Sequence, residues 1–228
     1  MNKRITLFCG HYGSGKTNIA VNYALALRKQ YDRVAIADLD IVNPYFRTKD
    51  SSEDLAKAGI ELICSPYAGS NVDFPALPQE IYQITDDKDL RVVIDVGGDD
   101  RGALALGRLA PAIWEERDFE MLAVVNRFRP LTPDAASAVE VLSEIRAASG
   151  LPFTGIVNNS NLGEETTAED VLSSVRYAEE IENVTGLPLV MTCVKYDLLP
   201  ALESKIDNLF PLVLQEKPTT FSAKTGNS

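Results

Sequence analysis

The sequence predicts an α/β fold, in which a doubly wound, mostly parallel sheet of seven strands carries helices on both faces. Short apolar runs alternate along the chain with longer segments whose apolar residues recur every three to four positions, as in βαβ units. Residues 34–36 (Val-Ala-Ile) and 92–94 (Val-Val-Ile) are apolar at successive positions, which is typical of parallel strands covered on both faces. The predicted strands are residues 4–9, 34–37, 60–64, 92–95, 121–125, 153–157 and 189–192.

The predicted helices have recognisable ends. We expect Thr132 to be the N-cap of one helix, with Pro133 as its first residue and Gly150 ending it. Residues 167–170 (Thr-Ala-Glu-Asp) resemble a capping box that opens another helix. Pro111 interrupts a helical segment, so we expect a kink or two short helices there.

The length and composition of the chain favour a single folded domain. A chain of 228 residues that is 45% hydrophobic can bury one large core, and no internal linker is apparent. We expect a single domain over residues 1–215. Residues 216–228 are polar and contain a proline, so we expect them to form a flexible tail.

Charge and cysteine content limit the partners. A formal charge of −11 disfavours nucleic acid as a partner, because such proteins usually present a basic face. No apolar run approaches the ~20 residues of a membrane span, and the first apolar stretch is too short for a signal peptide. The three cysteines form no C-x-x-C pair, so free thiols and a cytoplasmic location are expected.

A glycine-rich segment follows the first predicted strand and precedes a helix-like segment. Residues 10–17 read Gly-His-Tyr-Gly-Ser-Gly-Lys-Thr, which matches the phosphate-loop pattern G-x-x-x-x-G-K-[S/T]. Glycines let the backbone curl around phosphate oxygens at the positive end of a helix. Lys16 can reach the β- and γ-phosphates and is our first catalytic candidate, while the Thr17 hydroxyl can ligate Mg²⁺. The predicted nucleotide contacts here are Gly10, Gly13, Ser14, Gly15, Lys16, Thr17 and Asn18.

Acidic residues follow two other predicted strands. In open α/β sheets ligands bind at the carboxyl ends of the strands. Asp38 and Asp40 follow the second strand, and one or both could face the metal and an attacking water; alternatively, Asp38 only braces the phosphate loop. Asp95 ends the fourth strand as a Walker B carboxylate would, and is a predicted Mg²⁺ ligand. Gly98 is close behind it and could approach the γ-phosphate through its backbone.

Asparagines follow the next strands. Asn158 and Asn159 come after the sixth strand, and an amide could read the edge of an adenine, although loop asparagines are also common turn residues. The guanine-reading pattern N-K-x-D is absent there and after Asn126. The sequence therefore favours ATP with Mg²⁺.

These motifs resemble the family of ParA, MinD and CobQ/CobB-type P-loop ATPases, in the class that includes ArsA, the nitrogenase iron protein and dethiobiotin synthetase. The resemblance covers roughly residues 5–192. It implies that Asp40 is catalytic, positioning water in switch I and lying near the metal, and that Asp95 and its glycines form switch II. It implies that Asn158 contacts adenine. It also implies a homodimer that acts on a protein partner.

One position departs from that family. Proteins of the ParA and MinD kind carry a signature lysine directly after the first glycine of the loop, where this chain has His11, its single histidine. Arg47 or Arg101 could supply the missing positive charge. The loop also resembles that of nickel-delivering GTPases, but the absent N-K-x-D and the lack of further histidines disfavour that assignment.

Two function classes remain open from the sequence. One is a nucleotide-driven switch that hydrolyses ATP to change its hold on a partner. The other is an ATP-dependent enzyme that activates a carboxylate, like dethiobiotin or cobyrinate synthetase. Such an enzyme needs cationic groups beside the γ-phosphate, and the predicted loop of residues 65–78 contains no lysine or arginine. The switch is therefore favoured.

Overall fold

One parallel sheet forms the centre of the molecule. The structure, a computed structural model, describes residues 3–39, 52–64, 82–98 and 100–213. Within them eight strands run in the order β3-β2-β4-β1-β5-β6-β7-β8, and every neighbouring pair is parallel. The strands are β1 (Ile5–Cys9), β2 (Val34–Leu39), β3 (Glu61–Cys64), β4 (Arg91–Val96), β5 (Phe119–Val125), β6 (Gly155–Asn158), β7 (Leu189–Lys195) and β8 (Leu209–Leu212).

Helices connect these strands. They are α1 (Lys16–Arg28), α2 (Ser52–Lys57), α3 (Gln83–Asp86), α4 (Asp100–Glu116), α5 (Ala135–Ser149), α6 (Ala168–Thr185) and α7 (Leu199–Leu202), with 3₁₀ turns at Gly163–Glu165 and Tyr196–Leu198. None of the helices in the described part of the chain combines the length and apolar character needed to cross a membrane.

Apolar residues cover both faces of the sheet. On one face, Phe8 and Val93 pack with α1 residues such as Ile19. On the other face, Leu7 and Ile94 pack with residues of α4, α5 and α6. This two-sided burial confirms the predicted doubly wound α/β fold.

The number of strands is the main correction. We predicted seven strands, and β8 is the eighth. It contains Pro211, which cannot donate to a sheet ladder and is therefore confined to edges. β8 is an edge strand paired only with β7 among the described residues, so the proline is tolerated.

The helix ends were predicted unevenly. Thr167 and Asp170 form the expected capping box of α6, and Gly150 ends α5 in a left-handed conformation. The predicted N-cap Thr132 is wrong, because Asp134 caps α5 by accepting a bond of 2.9 Å from the Ser137 N–H. The Thr132 hydroxyl instead donates to a backbone carbonyl at 2.8 Å.

Pro111 lies inside one continuous helix, α4. The expectation of two short helices is wrong. Buried Leu106, Leu109, Ala110 and Ile113 place the same stripe of α4 against the sheet on both sides of the proline. This packing offsets the lost backbone hydrogen bond, whose cost is about 3 kcal/mol.

Candidate functional site: the phosphate loop

The predicted phosphate loop lies at the carboxyl end of β1, between that strand and α1. β1 pairs with β4 on one side and β5 on the other, so segments following three adjacent strands can meet there. Gly15 is the N-cap of the 13-residue helix α1, with φ of 91°. Because glycine has no side chain to cap the helix, the first N–H groups of α1 remain available to an anion.

Close approaches explain the glycines of the loop. A Cβ added at Gly10 would lie 2.3 Å from the carbonyl oxygen of Val124, and one at Gly15 would lie 2.3 Å from Nδ2 of Asn159. Side chains at either position would therefore displace β5 or the segment after β6.

Gly98 brings the segment after β4 against the phosphate loop. A Cβ at Gly98 would lie 2.6 Å from the backbone nitrogen of Tyr12 and 2.8 Å from Nζ of Lys16. Only a glycine permits this approach between the predicted γ-phosphate sensor and the loop.

Lys16 and Ser14 are two of the buried polar residues of the loop. Lys16 is 5% exposed, and its Nζ donates to the carbonyl oxygen of His11 at 3.1 Å. Ser14 is 2% exposed, and its Oγ has no hydrogen-bond partner among the described residues. A buried hydroxyl without a partner is costly, so the loop has a polar atom that a bound phosphate would satisfy.

Two carboxylates end neighbouring strands beside the loop. Asp38 of β2 and Asp95 of β4 are register partners, and Phe8 of β1 is the register partner of Asp95. Register partners in parallel strands point to the same face, and Phe8 packs on the α1 face. Both carboxylates therefore lie on the side of the sheet that carries α1.

Asp95 is completely buried, and Thr17 is 7% exposed at the start of α1. Carboxylate and hydroxyl oxygens are the ligands that Mg²⁺ prefers, so these two predicted metal residues fit the ion. Asp40, predicted both as a metal ligand and as a catalytic residue, lies outside the described residues. No group of three or more candidate metal-ligating side chains occurs in the described ranges.

The pKa of the Cys9 thiol depends on its burial and on two charged neighbours. Burial raises the pKa of its thiol well above the usual range, the Lys16 ammonium opposes this, and the Asp95 carboxylate adds to it. Cys9 is therefore an inert buried thiol rather than a nucleophile.

The two asparagines after β6 have different positions. The side chain of Asn158 is fully buried, where its Nδ2 donates to Oγ of Ser174 at 2.9 Å and its Oδ1 accepts from the Ser160 N–H. Its contact with a base stays a prediction. Asn159 instead reaches the phosphate loop, and its Nδ2 donates to the Ser14 carbonyl at 2.6 Å. From the sequence we expected Asn159 to contact a base only, so this role was not predicted.

Arg129 was also not predicted. It follows β5, and a Cβ added at Gly13 would lie 3.6 Å from its Nε and 4.0 Å from its Cζ. The phosphate loop thus has an arginine packed against its central glycine. Of the two arginines considered from the sequence, Arg47 and the side chain of Arg101 lie outside the described residues.

His11 occupies the position at which ParA- and MinD-type proteins, which the sequence resembles, carry their signature lysine. Its Nδ1 lies 2.8 Å from the carbonyl oxygen of Tyr12. Because a carbonyl can only accept, Nδ1 carries a hydrogen and donates it to the Tyr12 carbonyl. His11 is therefore tied to its own loop.

Comparisons with known proteins support the fold. No protein-family profile and no curated protein sequence matches this chain. Solved structures do match. FtsY from Mycoplasma mycoides superposes with a TM-score of 0.53 at 17% identity over 85% of this chain. The cell division protein FtsY from Thermotoga maritima gives 0.53 at 18% identity over 83%. The chain has a P-loop NTPase fold.

A third neighbour is the 54 kDa signal recognition particle protein from Aeropyrum pernix in complex with GDP, with a TM-score of 0.51 and 17% identity over 84% of this chain. The chain spans 61% of the length of both FtsY proteins and 41% of this third one. Identities this low establish the fold and no finer relationship.

Proposed function

We propose that this protein binds Mg-ATP at the phosphate loop and hydrolyses it as a conformational switch acting on a protein partner. The observation that carries the proposal is the placement of Lys16, buried at the N-terminus of α1 with its Nζ beside Gly98. A buried ammonium at the N-terminus of a helix, beside N–H groups that are open to an anion, favours a ligand that carries several negative charges. A polyphosphate is such a ligand.

Each residue has a role in this proposal. Backbone N–H groups from Gly13 to Lys16 bind phosphate oxygens, and the Lys16 ammonium neutralises charge on the β- and γ-phosphates. Thr17 and Asp95 would hold Mg²⁺, which supplies Lewis-acid stabilisation of phosphate charge when bound. Asp40 is proposed to orient the attacking water.

Gly98 supports the switch. Its backbone lies against both Tyr12 and Lys16, so a group bound at the Lys16 ammonium must alter that contact. The segment after β4 leads directly into α4. The presence of a γ-phosphate would therefore be transmitted to a helix on the other face of the sheet.

ATP, membership of the ParA/MinD-like class, a homodimeric state and a cytoplasmic location are all parts of this proposal. GTP is the second candidate, because one structure of the same fold is in complex with GDP. The missing N-K-x-D pattern supports ATP.

Calorimetric titration with ATP and GTP, with and without Mg²⁺, tests the proposal. We expect ATP to bind at least about tenfold more tightly than GTP, equivalent to about 1.4 kcal/mol. Lys16→Ala should lose ATP binding and turnover while remaining folded. The control is Lys57→Ala, whose side chain is 72% exposed on α2.

Unchanged ATP binding in folded Lys16→Ala would refute the assignment of this loop. Equal affinity for the two nucleotides, or a preference for GTP, would refute the base assignment. Sedimentation with and without a non-hydrolysable ATP analogue tests the dimer, and a sedimentation coefficient that does not change would argue against nucleotide-dependent association.

A further inference from the structure

The backbone of Arg129 is held by hydrogen bonds, and the buried Nε of its side chain has no partner among the described residues. Its backbone belongs to a tight turn after β5, in which its N–H donates to the Asn126 carbonyl at 3.2 Å and its own carbonyl accepts from the Thr132 N–H at 3.1 Å. Asn126 is completely buried, and its amide oxygen accepts from the Phe128 N–H. These hydrogen bonds hold the turn in place and so anchor the backbone from which the Arg129 side chain extends.

From this anchor the guanidinium packs against the phosphate loop. Nε, Cδ and Cζ of Arg129 would all lie between 3.6 and 4.0 Å from a Cβ added at Gly13. Gly13 has φ of 76° and belongs to the segment that would curl around phosphate. A Cβ at this position would be in ordinary van der Waals contact with the arginine, so the positive φ, and not the arginine, favours glycine here.

Among the described residues, no group of the protein accepts a hydrogen bond from the Nε of Arg129. Its Nε is buried without a hydrogen-bond partner, and no ion pair to it occurs among the residues that the structure describes. This contrasts with a net charge of −11 for the chain. A buried donor without a partner destabilises a protein unless something binds it.

Arg127, two residues earlier, provides a comparison. Its Nη1 donates to the Ser173 carbonyl at 2.7 Å, and its guanidinium lies 5.7 Å from the centre of the Phe128 ring. Arg127 thus has an acceptor within the protein, whereas the buried Nε of Arg129 has none among the described residues.

We propose that Arg129 is a phosphate-binding residue of this site, which stabilises the negative charge of a bound nucleoside triphosphate from within the same chain. This inference rests on the proposed nucleotide binding and adds a residue to it. A guanidinium is always charged and presents several donors in one plane, a geometry that matches phosphate oxygens. When phosphate is bound, it supplies the acceptor that the buried Nε otherwise lacks.

The proposal predicts opposite effects on stability and binding. Without nucleotide, Arg129→Gln should keep or raise Tm, because it removes a buried donor, Nε, that has no partner among the described residues. With nucleotide, the same variant should bind Mg-ATP at least about tenfold more weakly than wild type. Arg129→Lys keeps the charge and should recover part of the affinity.

The experiment measures Tm without nucleotide, the Kd of Mg-ATP by calorimetry, and the Tm increase produced by saturating Mg-ATP. Wild type, Arg129→Gln, Arg129→Lys and Lys16→Ala are compared with Arg127→Gln as the matched control. Arg127→Gln should bind ATP like wild type. A purely structural role for Arg129 would lower Tm without nucleotide, and the proposed role would not.

Two results would overturn the proposal. One is an ATP affinity of Arg129→Gln within twofold of that of Arg127→Gln. The other is an affinity loss that accompanies a fall in Tm and that Arg129→Lys does not recover. If wild type and Lys16→Ala both fail to bind ATP, the proposed function itself fails, which separates that outcome from a failure at Arg129 alone.

Discussion

The hydrogen bond from Asn159 to the phosphate loop should be needed for both stability and nucleotide binding. Nδ2 of Asn159 donates to the Ser14 carbonyl at 2.6 Å, and both residues are 2% exposed. Asn159→Ala removes the donor and leaves a buried carbonyl without it. The backbone N–H of Asn159, which donates to the Val125 carbonyl, is retained in the variant.

The magnitude follows from that burial. An unsatisfied buried acceptor costs about 1–3 kcal/mol, so we expect Asn159→Ala to lower the free energy of unfolding by about 2 kcal/mol. For a chain of this size this corresponds to a fall in Tm of about 4–8 °C. ATP affinity should fall as well, because the Ser14 peptide unit is no longer held in place.

Thermal unfolding followed by circular dichroism measures the first effect, and calorimetric titration with Mg-ATP measures the second. Asn183→Ala is the control, because Asn183 is exposed on α6, and its effect should stay within about 0.5 kcal/mol. If Asn159→Ala melts at the same temperature as Asn183→Ala, the bond to Ser14 contributes nothing and the reasoning is wrong.

Three further predictions concern other residues. Gly15→Ala should cost about 2 kcal/mol more than Gly186→Ala, since both glycines have positive φ but only the Cβ at position 15 would displace Asn159; equal Tm losses would contradict this. Asp95→Asn should reduce the ratio of ATP affinities measured with Mg²⁺ and with EDTA, and an unchanged ratio would exclude Asp95 from the metal site. Hydrogen bonds from the hydroxyl and then the N–H of Thr167 hold the pKa of Asp170 below its usual range. Asp170 therefore stabilises the protein at pH values above the unfolded-state pKa of about 4, and this stabilisation is lost as the pH falls. We expect the difference in the free energy of unfolding between wild type and Asp170→Asn, measured by urea denaturation, to become smaller in acid.

The parts of the site that were predictable are local in sequence. The order of residues 10–17 defines the loop, and the position of Asp95 at the end of an apolar strand defines the second segment. Asn159 acts 145 positions away from Ser14, and no local pattern carries that information. Successive residues of a strand point to opposite faces, so the choice between Asn158 and Asn159 depends on where β6 ends. Arg129 depends similarly on how the turn after β5 folds.

Two details of the fold, the eighth strand and the N-cap of α5, were not predicted correctly. β8 contains Pro211, and only its place at the edge of the sheet makes that residue acceptable. For α5 we predicted only Thr132 as the cap. The hydroxyl of Thr132 instead donates to the carbonyl of the buried Asn126, six residues earlier, and Asp134 caps the helix.

The place of β1 in the sheet constrains how the protein folds during synthesis. Ile5 pairs with Val92 in β4 and with Phe119 in β5. β1 therefore leaves the ribosome without β4 until 87 further residues have been made, and without β5 until 114 have been made. At translation rates of about 5–20 residues per second, this delay is on the order of ten seconds. Gly10 also contacts β5 through Val124, so an N-terminal fragment that ends before β5 would carry the complete loop sequence without its folded geometry.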